Sequence, residues 1–180
     1  MHKLLFTLAM TTTTALGTVG AMAQSGSDAT AAQTNEHEVS FTSAEGADIG
    51  TARLIGTGSG LLIRLDLQDL PADQWVALHI HENGECDASG NFESAGGHWN
   101  VGNTSHGFLT ETGPHSGDMP NQHVRADGRL MADVFNAQAF LTGETGNVMG
   151  RAIVVHGGAD DYESQPSGDA GDRIACAVIE

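Results

Sequence analysis

Apolar and polar residues alternate in short bursts along this chain, recurring about every ten residues and parted by clusters of Gly, Ser, Pro or Asp. The clearest burst is Leu61–Leu67, in which Ile63, Leu65 and Leu67 share one face while Arg64 and Asp66 share the other. A period of two is that of a half-buried strand. The same pattern predicts strands over His37–Thr42, Ile49–Ile55, Trp75–His81, Leu130–Phe135, Arg151–His156 and Ile174–Ile179. Within Trp75–His81 the core side falls to Val76, Leu78 and Ile80, so His79 and His81 project together from the other face. No repeat, no heptad pattern and no helix longer than a turn or two is visible. With 24 Gly and only 4 Pro, the chain suits strands joined by long turns. The prediction is an all-β domain.

Two stretches break the alternation. Glu82–Asp118 is poor in aliphatic residues and carries eight glycines, and Gly157–Asp172 is similarly polar and runs into Arg173. A loop as long as the first, inside a small domain, needs a function and a source of order other than packing.

The amino terminus is set apart from the fold. Met1, His2 and Lys3 make a short basic start, Leu4 to Gly20 is uncharged and mostly apolar or Thr, and Ala21-Met22-Ala23 has the small-x-small form of a cleavage site. Residues 1–23 therefore read as a secretory signal peptide. The run Thr11 to Thr14 dilutes the apolar stretch below what a spanning helix needs. Residues 24–36 read as a flexible amino-terminal segment of small polar residues, and 37–180 as the single folded domain.

Composition narrows the partners. Seven basic residues stand against 23 acidic ones, which excludes a nucleic-acid binder in practice, because such proteins neutralise phosphates with Lys and Arg. Removing Lys3 with the signal takes the formal net charge from −16 to −17 and leaves no Lys. Cys86 and Cys176 are the only cysteines, and in an exported chain a lone pair points to one disulfide, the alternative being two unrelated buried thiols.

Histidine carries the chemistry. Of nine, six stand at strand ends or in the two irregular stretches: His79, His81, His98, His106, His115 and His156. Asp118 lies three residues beyond His115, close enough for one loop to wrap both onto an ion, and His nitrogens with one carboxylate suit tetrahedral zinc. Three or four imidazoles around one ion favour copper. Seven such ligands exceed one tetrahedral ion and fit two metals if one imidazole uses both nitrogens. That arithmetic does not choose the shared residue.

The runs His79-Ile80-His81-Glu82-Asn83-Gly84-Glu85-Cys86, Ser94-Ala95-Gly96-Gly97-His98-Trp99-Asn100, His106-Gly107, His115-Ser116-Gly117-Asp118-Met119-Pro120-Asn121, Gly150-Arg151-Ala152-Ile153-Val154-Val155-His156-Gly157 and Gly171-Asp172-Arg173-Ile174-Ala175-Cys176 resemble, in this order, the signature blocks of the copper/zinc superoxide dismutases, and most nearly their secreted bacterial branch. The resemblance covers about Glu38 to Glu180. It implies an eight-stranded Greek-key β-barrel with two long functional loops, and an enzyme converting superoxide to oxygen and hydrogen peroxide. It implies copper on His79, His81, His98 and His156, and zinc on His98, His106, His115 and Asp118, with His98 as the bridge. It also implies the Cys86–Cys176 bond, Asp160 as the carboxylate linking a copper histidine to a zinc histidine, and catalytic roles for Arg173 beside the copper and for His98 as proton carrier. Superoxide is then the small-molecule partner, with no nucleic acid and no stable membrane association. A homodimer is compatible with this, and the location is periplasmic or secreted.

The chain departs from the family at three places. Val101 stands where a Pro is common, Ser167 where a Thr lies at the channel mouth, and Pro166 where a channel Lys is often found. Two other functions compete: a copper-binding or copper-delivering protein on the same fold, disfavoured by the presence of His98 and Arg173, and a zinc hydrolase, which needs three protein ligands, an open position and a general base. His37 and His123 read as surface or packing residues, and Trp75 and Trp99 as packing.

Overall fold

A computed structural model describes residues 35–180. The signal segment 1–23 and nearly all of the flexible segment lie outside the described residues. The domain is eight antiparallel strands: β1 (Glu36–Ser43), β2 (Asp48–Thr57), β3 (Gly60–Leu67), β4 (Gln74–His81), β5 (Asp118–Val124), β6 (Leu130–Asn136), β7 (Ala152–His156) and β8 (Arg173–Val178). Seven match the strands predicted by alternation to within two residues.

β5 is the addition. Its sequence, Asp118-Met119-Pro120-Asn121-Gln122-His123-Val124, holds a proline and mostly polar residues, so no period of two marks it. It forms because it ends the sheet, in the order β5-β4-β7-β8-β1-β2-β3-β6. A proline costs no ladder bond on the free side of an edge strand. The β4–β5 register shifts between Val76 and Leu78, and there Ala77 donates its N–H to Gly158 O at 2.7 Å instead.

Sequence neighbours do not always pair: β4 lies beside β7, β3 beside β6 and β1 beside β8, the crossovers of a Greek key. The sheet curls until β5 and β6 face each other, nearly closing the barrel. At that seam Asn136, buried at the end of β6, donates its Nδ2–H to Ser116 O at 2.9 Å, just ahead of β5.

The barrel is filled by inward residues such as Phe41, Leu54, Ile63, Leu78, Ile153 and Ile179, all fully buried. Each such side chain contributes about 1.5–3 kcal/mol relative to exposure. β7 is buried along its whole length because both faces are covered. Ile153 and Val155 face the barrel core, while Ala152 and Val154 join Phe92, Ala95 and Cys176 in a second cluster outside it. That cluster seats the first long loop, which holds two single-turn 3₁₀ helices, Ala88–Gly90 and Glu93–Ala95, and is tied to β8 by the Cys86–Cys176 disulfide. Trp99 packs in the core as expected, but Trp75 is 56% exposed and meets its cross-strand neighbour His123 edge-on, which corrects its reading as a packing residue. Among the described residues no helix is long and apolar enough to cross a membrane.

Candidate metal centre

Strand register assembles the histidines. On β4 the outward positions next to the core residues Leu78 and Ile80 are His79 and His81, and on β7 the outward face of Ala152 and Val154 continues to His156. Pairing then brings partners from elsewhere: His79 faces Asp118 across β4–β5, and His156 faces Arg173 across β7–β8. His98 arrives by a short bridge opposite His81, held by Trp99 N–H on Ile80 O at 2.8 Å and Glu82 N–H on Gly97 O at 2.9 Å. Gly117 lies against the same strand; a Cβ there would sit 2.2 Å from Ile80 O, so only glycine fits.

The ring nitrogens converge in two groups, each within 4.8 Å: His79, His81, His98 and His156, and His79, His98, His106 and Asp118. The first is the expected copper set. The second differs from the expected zinc set by holding His79 in place of His115. His115 lies at the edge of that group, its Nδ1 3.5 Å from His98 Nδ1 and 3.6 Å from Asp118 Oδ1.

Hydrogen-bond partners decide which nitrogen of each ring carries the proton. His79 donates Nε2–H to Asp160 Oδ2 at 2.8 Å, His81 donates Nδ1–H to Gly96 O at 3.0 Å, and His156 donates Nδ1–H to Gly171 O at 3.4 Å. The remaining lone pairs are His79 Nδ1, His81 Nε2 and His156 Nε2. The last two stand 3.3 Å apart, acceptor against acceptor. His79 Nδ1 and His98 Nε2 are buried without any partner. Four unshared nitrogens in a dry pocket are costly unless a cation lies among them. The donor set therefore fits a nitrogen-preferring metal.

The other half repeats this logic around Asp118. Its carboxylate accepts the N–H groups of Gly107 and His115, each at 2.9 Å, and stands 3.0 Å from His98 Nδ1. His106 donates Nε2–H to Asp160 Oδ1 at 3.0 Å, so its Nδ1 lone pair faces Asp118 Oδ2 at 3.0 Å, again a place for a cation. Asp160 thus joins His79 to His106 with one carboxylate, as the resemblance implies. Gly168 passes directly over that junction, where a Cβ would meet Asp160 Oδ1 at 1.8 Å.

These surroundings keep His79, His81 and His156 neutral. Burial, reinforced by neighbouring His98, pulls His81 down to about 2, and burial takes His156 to about 4 and His79 well below its ordinary value. Burial raises the Asp118 carboxyl, but hydrogen bonds from His98 and the Gly107 N–H outweigh it and set the group at about 2. Neutral imidazole and ionised carboxylate are the forms that bind metal.

Arg173 sits half-buried beside this pocket. Its Nη1–H donates to Phe92 O at 2.6 Å and its Nη2–H to Gly96 O at 2.7 Å, the latter carbonyl also holding His81. Phe92 is fully buried with a left-handed φ of 57°, so the second apolar cluster fixes the carbonyl that aims the guanidinium. Sequence patterns assign no role to Phe92 and Gly168, whose contribution is backbone geometry, or to Asn121 and Gln165, whose carboxamides bond the main chain of distant residues. Pro166 is exposed and Ser167 half-buried on the second loop.

The family model described as copper/zinc superoxide dismutase matches residues 48–179. The Cu-Zn superoxide dismutase 1 of Aquifex aeolicus is 46% identical over 140 residues, covering 76% of this chain and 82% of the relative. That of Caulobacter vibrioides is 37% identical over 142 residues, covering 76% and 80%. Among solved structures, a SOD-like protein from Bacillus subtilis superposes with a TM-score of 0.77 at 35% identity, covering 80% of this chain and 98% of that one. The Cu/Zn superoxide dismutase from Brucella abortus superposes at 0.67 with 29% identity, covering 81% and 99%. With the histidine pockets, the barrel and these relatives in agreement, the chain belongs to the copper/zinc superoxide dismutase family.

Proposed function

We propose that copper is held by His79, His81, His98 and His156 and zinc by His98, His106, His115 and Asp118, with His98 shared through its two ring nitrogens. The observation carrying this is the set of four unshared nitrogens, His79 Nδ1, His81 Nε2, His98 Nε2 and His156 Nε2, buried together. His115 is assigned to zinc ahead of His79 because His79 already gives Nε2–H to Asp160 and belongs to the copper group. The activity is superoxide dismutation, with copper and zinc as cofactors and superoxide as substrate.

Bound copper supplies a one-electron cycle between Cu(II) and Cu(I), by which one superoxide is oxidised to oxygen and a second, with two protons, is reduced to hydrogen peroxide. The residues do the rest. Arg173 spends two N–H groups on the Phe92 and Gly96 carbonyls and keeps the others for the anion, as charge-assisted donors. His98 would carry one of the protons on Nε2 only while that atom is free of copper, and would pass it to the departing peroxide. His106, His115 and Asp118 hold the opposite side of the His98 ring, so Nε2 returns to one position. Asp160 keeps His79 and His106 in fixed tautomers.

We also place the enzyme outside the cytoplasm, periplasmic or secreted after removal of residues 1–23, with 24–36 as a flexible lead-in, its last residue Glu36 already opening β1, to the domain at 37–180. The Cys86–Cys176 bond supports an oxidising compartment. The small anion is the partner, without nucleic acid or stable membrane association, and sedimentation of the pure chain tests the homodimer. Metal analysis with an activity assay tests the whole reading: one copper and one zinc per chain, with activity abolished by a copper chelator, is the expected result. Zinc alone with hydrolytic activity would replace it.

A further inference from the structure

The second long loop meets the zinc half through a side chain that the catalytic scheme does not use. The Gln165 carboxamide pairs with the main chain of His106 on both sides: its Oε1 accepts the His106 N–H at 2.9 Å and its Nε2–H donates to the His106 carbonyl at 2.9 Å. This is the reciprocal pattern by which strands pair, made here by a side chain. Nε2 also donates to Glu163 O at 2.9 Å, which fixes the plane and the sense of the amide. The His106 carbonyl has a second donor in Thr110 Oγ1 at 3.1 Å, whereas among the described residues its N–H has no other acceptor.

A matching clamp holds the other end of the same contact. The Asn121 carboxamide, on β5, accepts Asp160 N–H and donates to Asp160 O, both at 2.8 Å, and Tyr162 Oη accepts the Asn121 N–H at 2.7 Å. His106 and Asp160 meet through their side chains at 3.0 Å. Each main chain is thus gripped by an amide while the two side chains touch. The neighbouring Leu109 N–H donates to Tyr162 O at 3.1 Å, and a Cβ on Gly107 would meet that oxygen at 1.9 Å, so the two loops run in direct contact here.

We propose that Gln165 is a positioning residue for the zinc site, acting through His106. It sets the His106 backbone so that one ring nitrogen stays on Asp160 and the other faces Asp118. Because Gln165 is exposed, its amide does this without belonging to the core, and the second loop thereby grips zinc without supplying a ligand. This rests on the assignment of His106 as a zinc ligand.

The test replaces Gln165 by Leu, which keeps bulk and removes both bonds, in protein loaded with copper and zinc. Zinc release to a chelator is expected to quicken about tenfold, equivalent to about 1.4 kcal/mol. Cobalt(II) placed in the zinc site should show shifted absorption bands, and the melting temperature of the metal-free protein should not change. Unchanged zinc release and cobalt bands, alongside a His106→Ala variant that loses zinc, overturn the role of Gln165 alone. A His106→Ala variant that keeps its zinc overturns the underlying assignment as well. Equal destabilisation of metal-free and loaded Gln165→Leu protein shows a merely structural contact and also overturns the proposal.

Discussion

Arg173 reaches the pocket with its guanidinium held by two carbonyls of the first loop, so reversing its charge removes the proposed anion binding and releases those two hydrogen bonds as well. Arg173→Glu should lower the dismutation rate at least about tenfold, equivalent to about 1.4 kcal/mol. Normal activity in that variant would remove Arg173 from the mechanism. Variants at His98 and His106 distinguish the two proposed metal sites. His98→Ala should loosen both, whereas His106→Ala should reduce zinc content with a smaller loss of copper; equal losses in the two variants count against the bridge. The buried imidazoles of His81 and His156 set a pH dependence for the metal-free protein. In the fold His156 titrates at about 4 and His81 at about 2, against about 6.5 when unfolded. The unfolded chain therefore binds more protons below about 6.5, and stability falls as pH drops from there. Urea midpoints of metal-free protein should be lower at pH 5 than at pH 7.5, and equal midpoints would contradict the burial of neutral rings.

At the scale of elements, the first loop is ordered by three attachments: the bridge of His98 to β4, the apolar seat of Phe92, and the disulfide. The Cys86–Cys176 bond spans a separation of 90 residues with its Cα atoms 5.7 Å apart. A loop of that length makes the bond worth about 4–5 kcal/mol in the chain-entropy description. Reduction should lower the melting temperature and raise proteolysis between Cys86 and His98. An unchanged melting curve, with two thiols titrating before any reductant is added, would show that the bond does not form. Gly168 is the corresponding weak point of the second loop: with φ at 70° and no room for a Cβ above Asp160, Gly168→Ala should displace that loop and cost zinc before it costs barrel stability, read by metal content against the melting of metal-free protein.

For the molecule as a whole, the formal charge near −17 without Lys repels superoxide at long range, and attraction is confined to Arg173 and the metals. Four of the six Arg are exposed, and Arg53, Arg64 and Arg129 are paired with Glu36, Asp133 and Asp66. Salt screens exposed charges beyond roughly 8–10 Å and spares short contacts. Screening of that repulsion should raise the rate or leave it level, and any decrease with ionic strength should be weak or absent. A steep decrease, measured by stopped-flow or pulse methods, would reveal a positive funnel that these residues do not provide.

The strands of the barrel core were legible because burial on one face imposes a period of two, as Ile63, Leu65 and Leu67 show, and the candidate metal ligands stood out because few other functions place six histidines at strand ends and in long polar loops. β5 was not, since an edge strand built on Pro120 carries no alternation and exists only because β4 offers it a partner. The exposure of Trp75, by contrast, follows from the alternation that turns Val76, Leu78 and Ile80 inward and Trp75 outward. The sequence by itself determined which side chains offer nitrogen, oxygen and sulfur, because ligand chemistry belongs to residue type. Tertiary structure alone decided which ring nitrogen is free, which carbonyls hold Arg173, and that Gln165 and Asn121 grip His106 and Asp160. These depend on hydrogen bonds between segments up to 81 residues apart, and no local pattern encodes such a partner.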